Sequence, residues 1–139
     1  MKGSFVRIVS VMLTLVPVLC LAEESSQSLP SRENREGQVM VKVIPQQIGR
    51  GGDWIFAVQL NTHVAPITQR IESISTLSDG QGKTERPLAW KGDPPGGHHR
   101  RGVLIFRAME PKPATITLTI EKVGGVTARY FTWKVSDGK

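Results

Sequence analysis

The 139-residue sequence holds one cysteine, Cys20, and only 6% of its residues are aromatic. A chain this poor in cysteine has no disulfide framework and no thiolate metal cluster. No Gly-x-Ser-x-Gly elbow, phosphate-cradling Walker loop, His-Glu-x-x-His pair or dinucleotide fingerprint occurs, and spacing pairs no two acidic residues. The chemistries those spacings serve therefore have no starting point here, and the expectation is a protein that binds without catalysing. No stretch carries a helical period of useful length. Basic residues never run beyond pairs such as Arg100-Arg101, which argues against nucleic acid as partner. The length allows one ordinary domain.

Residues 1–22 read as an export signal. Lys2 and Arg7 provide the positive start, Ile8–Leu21 is uncharged and mostly apolar, and Cys20-Leu21-Ala22 has the small–large–small form of a cleavage site. A permanent span needs about 20 apolar residues, and Glu23-Glu24 interrupt before that. Cys20 also raises lipidation, but Leu19 stands where the lipidating peptidase requires a small residue. Cleavage after Ala22 removes the cysteine and two cations, lowering the net charge from +6 to +4. A periplasmic or secreted, cysteine-free protein without a membrane span follows. Residues 23–37, polar and aperiodic, read as a flexible linker, 38–136 as the folded domain and 137–139 as a tail.

Within the domain, side chains alternate with period two. Val39/Val41/Val43, Trp54/Phe56/Val58/Leu60, Leu104/Phe106, Ile116/Leu118/Ile120 and Phe131/Trp133/Val135 each mark one apolar face of a strand. Two weaker runs, 70–77 and 84–90, complete a set of about seven. Turn signals separate them, including Asp79-Gly80-Gln81-Gly82 and the two-residue hairpin Gly124-Gly125. The pattern predicts an all-β, immunoglobulin-like antiparallel sandwich, without that fold's disulfide. Trp54, Phe56, Leu104, Phe106, Phe131 and Trp133 are expected to fill its core.

The most unusual segment is Gly92-Asp93-Pro94-Pro95-Gly96-Gly97-His98-His99-Arg100-Arg101-Gly102, placed just before a strand. End loops of sandwiches are common binding sites, because rigid sheets position them. Imidazole and carboxylate suit Cu(II) or Zn(II), so His63, His98, His99 and Asp93 are the candidate metal ligands. Adjacent strand residues point to opposite faces, so His98 and His99 share an ion only if the Gly-Gly turn twists them together. The same histidines also fit a strand-end cap and a solvated side chain. Arg100, Arg101 and Arg107 are the candidates for partner or anion contact, as guanidinium binds phosphate and carboxylate bidentately. Arg101, Val103, Ile105 and Arg107 share one face, a basic and apolar strip suited to another envelope protein or an anionic surface. It also fits the ordinary outer face of a sheet.

Gly52-Asp53-Trp54-x-Phe56, Leu60-x-Thr62-His63, Pro87-Leu88-x-Trp90 and above all the Gly92–Phe106 segment resemble a poorly characterised family of exported bacterial domains. The resemblance spans nearly all of 38–135. It implies a sandwich of about this size and brings no activity, ligand or catalytic residue with it. The leading expectation is a monomeric periplasmic binding module using loop 92–102 with His63, possible ligand a copper or zinc ion. The competing one is a structural or adapter domain that contacts another envelope protein through the Arg101/Val103/Ile105/Arg107 face, the histidines being incidental.

Overall fold

The computed structural model describes residues 28–135 and, by itself, Gly3. Apart from Gly3, the expected export signal with Cys20, residues 23–27, residue 136 and the expected tail lie outside the described residues. Among the described residues nine strands form two antiparallel sheets: β1 (Arg32–Asn34), β2 (Val39–Gln47), β3 (Trp54–Thr62), β4 (Ser75–Ser78), β5 (Thr84–Glu85), β6 (Ala89–Gly92), β7 (His99–Phe106), β8 (Thr115–Val123) and β9 (Val126–Lys134). One sheet has the order β1-β2-β3-β7-β6, the other β5-β4-β8-β9. The alternation thus predicts the architecture correctly, an all-β antiparallel sandwich.

The five periodic runs become the five long strands, because only one face of each can leave water. Val41, Val43, Phe56, Leu60, Leu104, Phe106, Ile116, Leu118 and Ile120 are fully buried, and Trp54, Phe131 and Trp133 nearly so. Phe56 sits at the centre, edge-on to Phe106 (centroids 5.8 Å apart) and tilted against Trp133 (5.6 Å). The first pair lies within the five-stranded sheet and the second joins it to β9 of the other, so aromatic packing across the interior stands where a disulfide would. Gly124 and Gly125 close the β8–β9 hairpin with φ of 61° and 77°, as the two-residue signal requires.

The two weaker runs depart from expectation. Residues 70–77 split into a 3-10 turn (Ile71–Ser73) and the short β4. Residues 84–90 do not form one strand; β5 joins the four-stranded sheet and β6 the five-stranded one. Pro87 lies at the crossing, where a residue without an N–H ends ladder pairing. A further correction concerns 28–37, expected to be flexible linker. Arg32–Asn34 pair with Val41–Val43 as β1. Trp133 Nε1 donates to Pro30 O at 2.6 Å, and Arg129 Nη2 donates to Glu36 O at 2.7 Å. This segment straps the open side of the sandwich. Its anchors are polar atoms some 100 residues away, invisible to a periodicity test.

Candidate functional site

β3 and β7 run antiparallel with Asn61 opposite His99, which places the Pro–Gly–His loop and the His63 strand exit at the same end of the sandwich. Backbone bonds tie the two loops together. Thr62 N–H donates to His98 O (2.9 Å), Ile67 N–H to Gly97 O (2.9 Å) and Gly96 N–H to Ile67 O (2.8 Å). His63 and His99 consequently meet edge to face, with ring centroids 6.2 Å apart. His99 Nδ1 lies 2.7 Å from Asn61 Oδ1. An amide oxygen only accepts, so Nδ1 is the donor of this bond and Nε2 is the ring nitrogen not engaged by Asn61.

The remaining expected ligands are not joined to this pair. Among the described residues, no three His, Cys, Asp or Glu side chains gather as a metal site. His98 is exposed, on the residue next to His99 along the extended chain. The Asp93 carboxylate instead accepts the Arg101 backbone N–H at 2.8 Å, extending the β6–β7 pairing by one residue. Its geometry serves the loop.

Arg100 corrects the expectation of a partner- or anion-binding group, for it is only 1% exposed. It occupies the inward phase of β7 with Leu104 and Phe106. Its guanidinium donates to Gln69 O (2.5 Å), Ile67 O (3.3 Å) and Asp93 O (3.2 Å), and lies 5.8 Å from the centre of the Trp90 ring. Nε alone has no partner. Burial pushes the Arg100 pKa below its ordinary value, opposed by the charges of Glu72 and Asp93. Arginine nevertheless stays charged at working pH. Arg100 is therefore the clamp that holds loops 63–69 and 92–98 together, and with them the two histidines. Arg101 and Arg107 are exposed, as expected.

The outer face of the five-stranded sheet carries more than the expected strip. Ladder register sets Ile44, Ala57 and Val103 in one cross-strand row, and Ile55, Ile105 and Ala89 in the next. All six are half-buried on the side away from the core. Around them stand Lys42, Lys91, Arg101 and Arg107. The acids on this face are already engaged: Glu33 is ion-paired with Arg35, and Asp93 holds the Arg101 N–H. The charge left over is positive. Asn61 and the β2 and β3 parts of this face escaped the sequence reading. Their signal was apolar residues in both phases of those strands, interpretable only once the strand order is known.

Among the described residues no helix is long and apolar enough to cross a membrane. No protein-family model, curated protein or solved structure matches the chain, so the reading of its site rests on its own geometry.

Proposed function

We propose that the protein is a non-catalytic, exported binding module whose working surface is the outer face of the five-stranded sheet. Its partner is another envelope protein, presenting an apolar ridge flanked by carboxylates. The observation that carries this reading is the pair of apolar rows with cations at their rim, on a face that an unpartnered sheet would fill with polar residues. Sheet faces of this kind bind through their apolar centre, while rim charges set partner choice and encounter rate. A photo-crosslinker placed at Val103 in intact cells should give one discrete adduct. The double reversal Arg101→Glu/Arg107→Glu should abolish it, and the captured peptide should carry acidic residues. A crosslinker at Thr117, on the other sheet, should give none. Failure to obtain an adduct from Val103, or one indifferent to the reversal, overturns the reading.

A transition-metal ion at His63 and His99 is the second reading, favoured by their contact and by the Asn61 tether. With metal–nitrogen bonds of about 2 Å, two imidazoles sharing an ion have centroids roughly 5–6 Å apart, and the observed 6.2 Å lies just beyond that range. Two protein donors make an open, weak site. Titration with Cu(II) or Zn(II) should broaden both imidazoles together in NMR spectra, leaving His98 unaffected. Asn61→Ala should weaken binding by about tenfold, the usual effect of losing the group that orients a ligand. Broadening of His98 alone, or none, removes this reading.

A further inference from the structure

β9 is the long strand at the edge of the four-stranded sheet, and among the described residues it pairs with β8 alone. Val135 N–H donates to Ala114 O at 2.8 Å. Bonded pairs in an antiparallel ladder fall on alternate residues, and the β8–β9 register is continuous from Lys134 to Ala128. Arg129, Phe131 and Trp133 therefore turn their backbone groups toward β8. Ala128, Tyr130, Thr132 and Lys134 turn theirs outward, in a row.

A groove of about 640 Å³ runs along this edge, with β9 as one wall and Pro30–Asn34 as the other. Edge strands are ordinarily blunted by proline, a bulge or shortness; β9 has nine residues and no proline, and its pairing is continuous over Ala128–Lys134. Arg129, its one inward charge, is satisfied within the protein by four acceptors and does not obstruct the edge. Tyr130 stands 69% exposed beside it. Arg32, opposite Val43 in the ladder, takes the phase of β1 that faces the groove, and Lys134 marks the far end of β9. Glu33 is held by Arg35. The groove is thus positive, which disfavours a second copy carrying the same cations and favours an acidic strand.

We propose that this groove binds an extended acidic peptide by strand addition to β9. Backbone pairing with the four outward residues supplies affinity, and side chains of the added strand alternate between the two sides of the edge. Pro30 lies beside Trp133 and Asn34 beside Arg129, so Arg32 is level with residue 131. Lys134 is three positions further along and on the opposite face. The recognised segment accordingly carries acidic residues three apart, with β-branched or apolar residues between them against Tyr130 and Thr132.

The probe is a labelled Thr-Glu-Val-Thr-Glu-Val peptide, compared with its Gln-for-Glu version, against the chain from residue 23. Saturable binding should slow hydrogen exchange at the amides of Tyr130, Thr132 and Lys134. Those of Phe131 and Trp133, already bonded to β8, should not change. The Gln peptide should bind about tenfold more weakly, and Arg32→Glu/Lys134→Glu should cost the Glu peptide a similar factor. Both cations are exposed, so that variant keeps its unfolding midpoint. Thr132→Pro, which removes one outward N–H, should abolish binding. Equal affinity for the two peptides, protection away from β9, or no saturation at millimolar peptide overturns the proposal. So does protection of the same amides by self-association without peptide, which makes a second copy the occupant.

Discussion

Arg129 and Arg100 are both 1% exposed, and among the described residues neither has a carboxylate within bonding distance. Burial lowers the pKa of each guanidinium, and the lost hydration is returned mainly by backbone carbonyls. Arg129 donates to Val123 O (2.6 Å), Glu36 O (2.7 Å), Asn34 Oδ1 (2.9 Å) and Val39 O (3.0 Å). Truncation would orphan those acceptors, at about 1–3 kcal/mol for each that water cannot reach. Arg129→Met should destabilise by about 3 kcal/mol and Arg100→Met by about 2, since two of the three Arg100 acceptors lie nearer solvent and its Nε is already unpaired. Urea midpoints measure both; the reverse order would contradict this account. Glu72 supports Arg100 from the 3-10 turn. Burial pushes its carboxyl pKa up, but its own backbone N–H, Arg70 and Arg100 more than offset that, leaving it below the ordinary value. A depressed folded pKa contributes stability above the unfolded pKa and loses it as pH falls through the folded one. Glu72→Gln should therefore lower stability near neutrality, by less than about 1 kcal/mol for so accessible a pair, with the gap closing on acidification. Neither arginine's role was legible in composition, where buried and solvated guanidinium look alike. Their phase was legible: Arg129 falls in step with Phe131 and Trp133, and Arg100 with Leu104 and Phe106.

At the scale of elements, period two located β2, β3, β7, β8 and β9 because each has one face excluded from water over most of its length. It failed where pairing is short. β1 has three residues and β5 two, too few for alternation to register, and β6 could be separated from β5 only by knowing which sheet each joins. The β6–β7 contact shows what the glycines at its end do. Gly92 and Gly102 are opposite each other, and a Cβ on Gly102 would lie 2.6 Å from Trp90 Cζ2 and 2.7 Å from Lys91 O. That approach lets Trp90 lie near Arg100 and donate its indole N–H to Asp93 O at 2.9 Å. Gly102→Ala should push β6 off β7, costing about 1–3 kcal/mol as overpacking does. Trp90 should become more accessible to fluorescence quenchers, whereas Trp54 and Trp133 should not. An unaltered quenching profile would mean that the close approach is dispensable.

For the molecule as a whole, the consequence lies in where the folded unit begins. Composition places that boundary at residue 38, since 23–37 are polar and aperiodic. The fold places it at or before Pro30, because the open side of the sandwich is closed by the strap, which carries β1. Removing residues up to 37 deletes β1, the acceptor of the Trp133 indole N–H and two of the four acceptors of Arg129. Three or four buried polar groups then face water or nothing, and Val41 and Val43 lose the strand that covers their edge. At about 1–3 kcal/mol per orphaned group the loss is about 5 kcal/mol, a large part of the roughly 5–15 kcal/mol that holds a domain together. A chain starting at Gln38 should unfold at a much lower urea concentration than one starting at Glu23, or fail to fold at 37 °C. It should also lose the groove beside β9, since the strap is that groove's second wall. Adding a synthetic peptide of residues 28–37 to the shortened chain should restore part of the midpoint in a concentration-dependent way. Equal midpoints for the two chains would show that the sandwich closes without its strap, and that Arg129 finds its acceptors elsewhere.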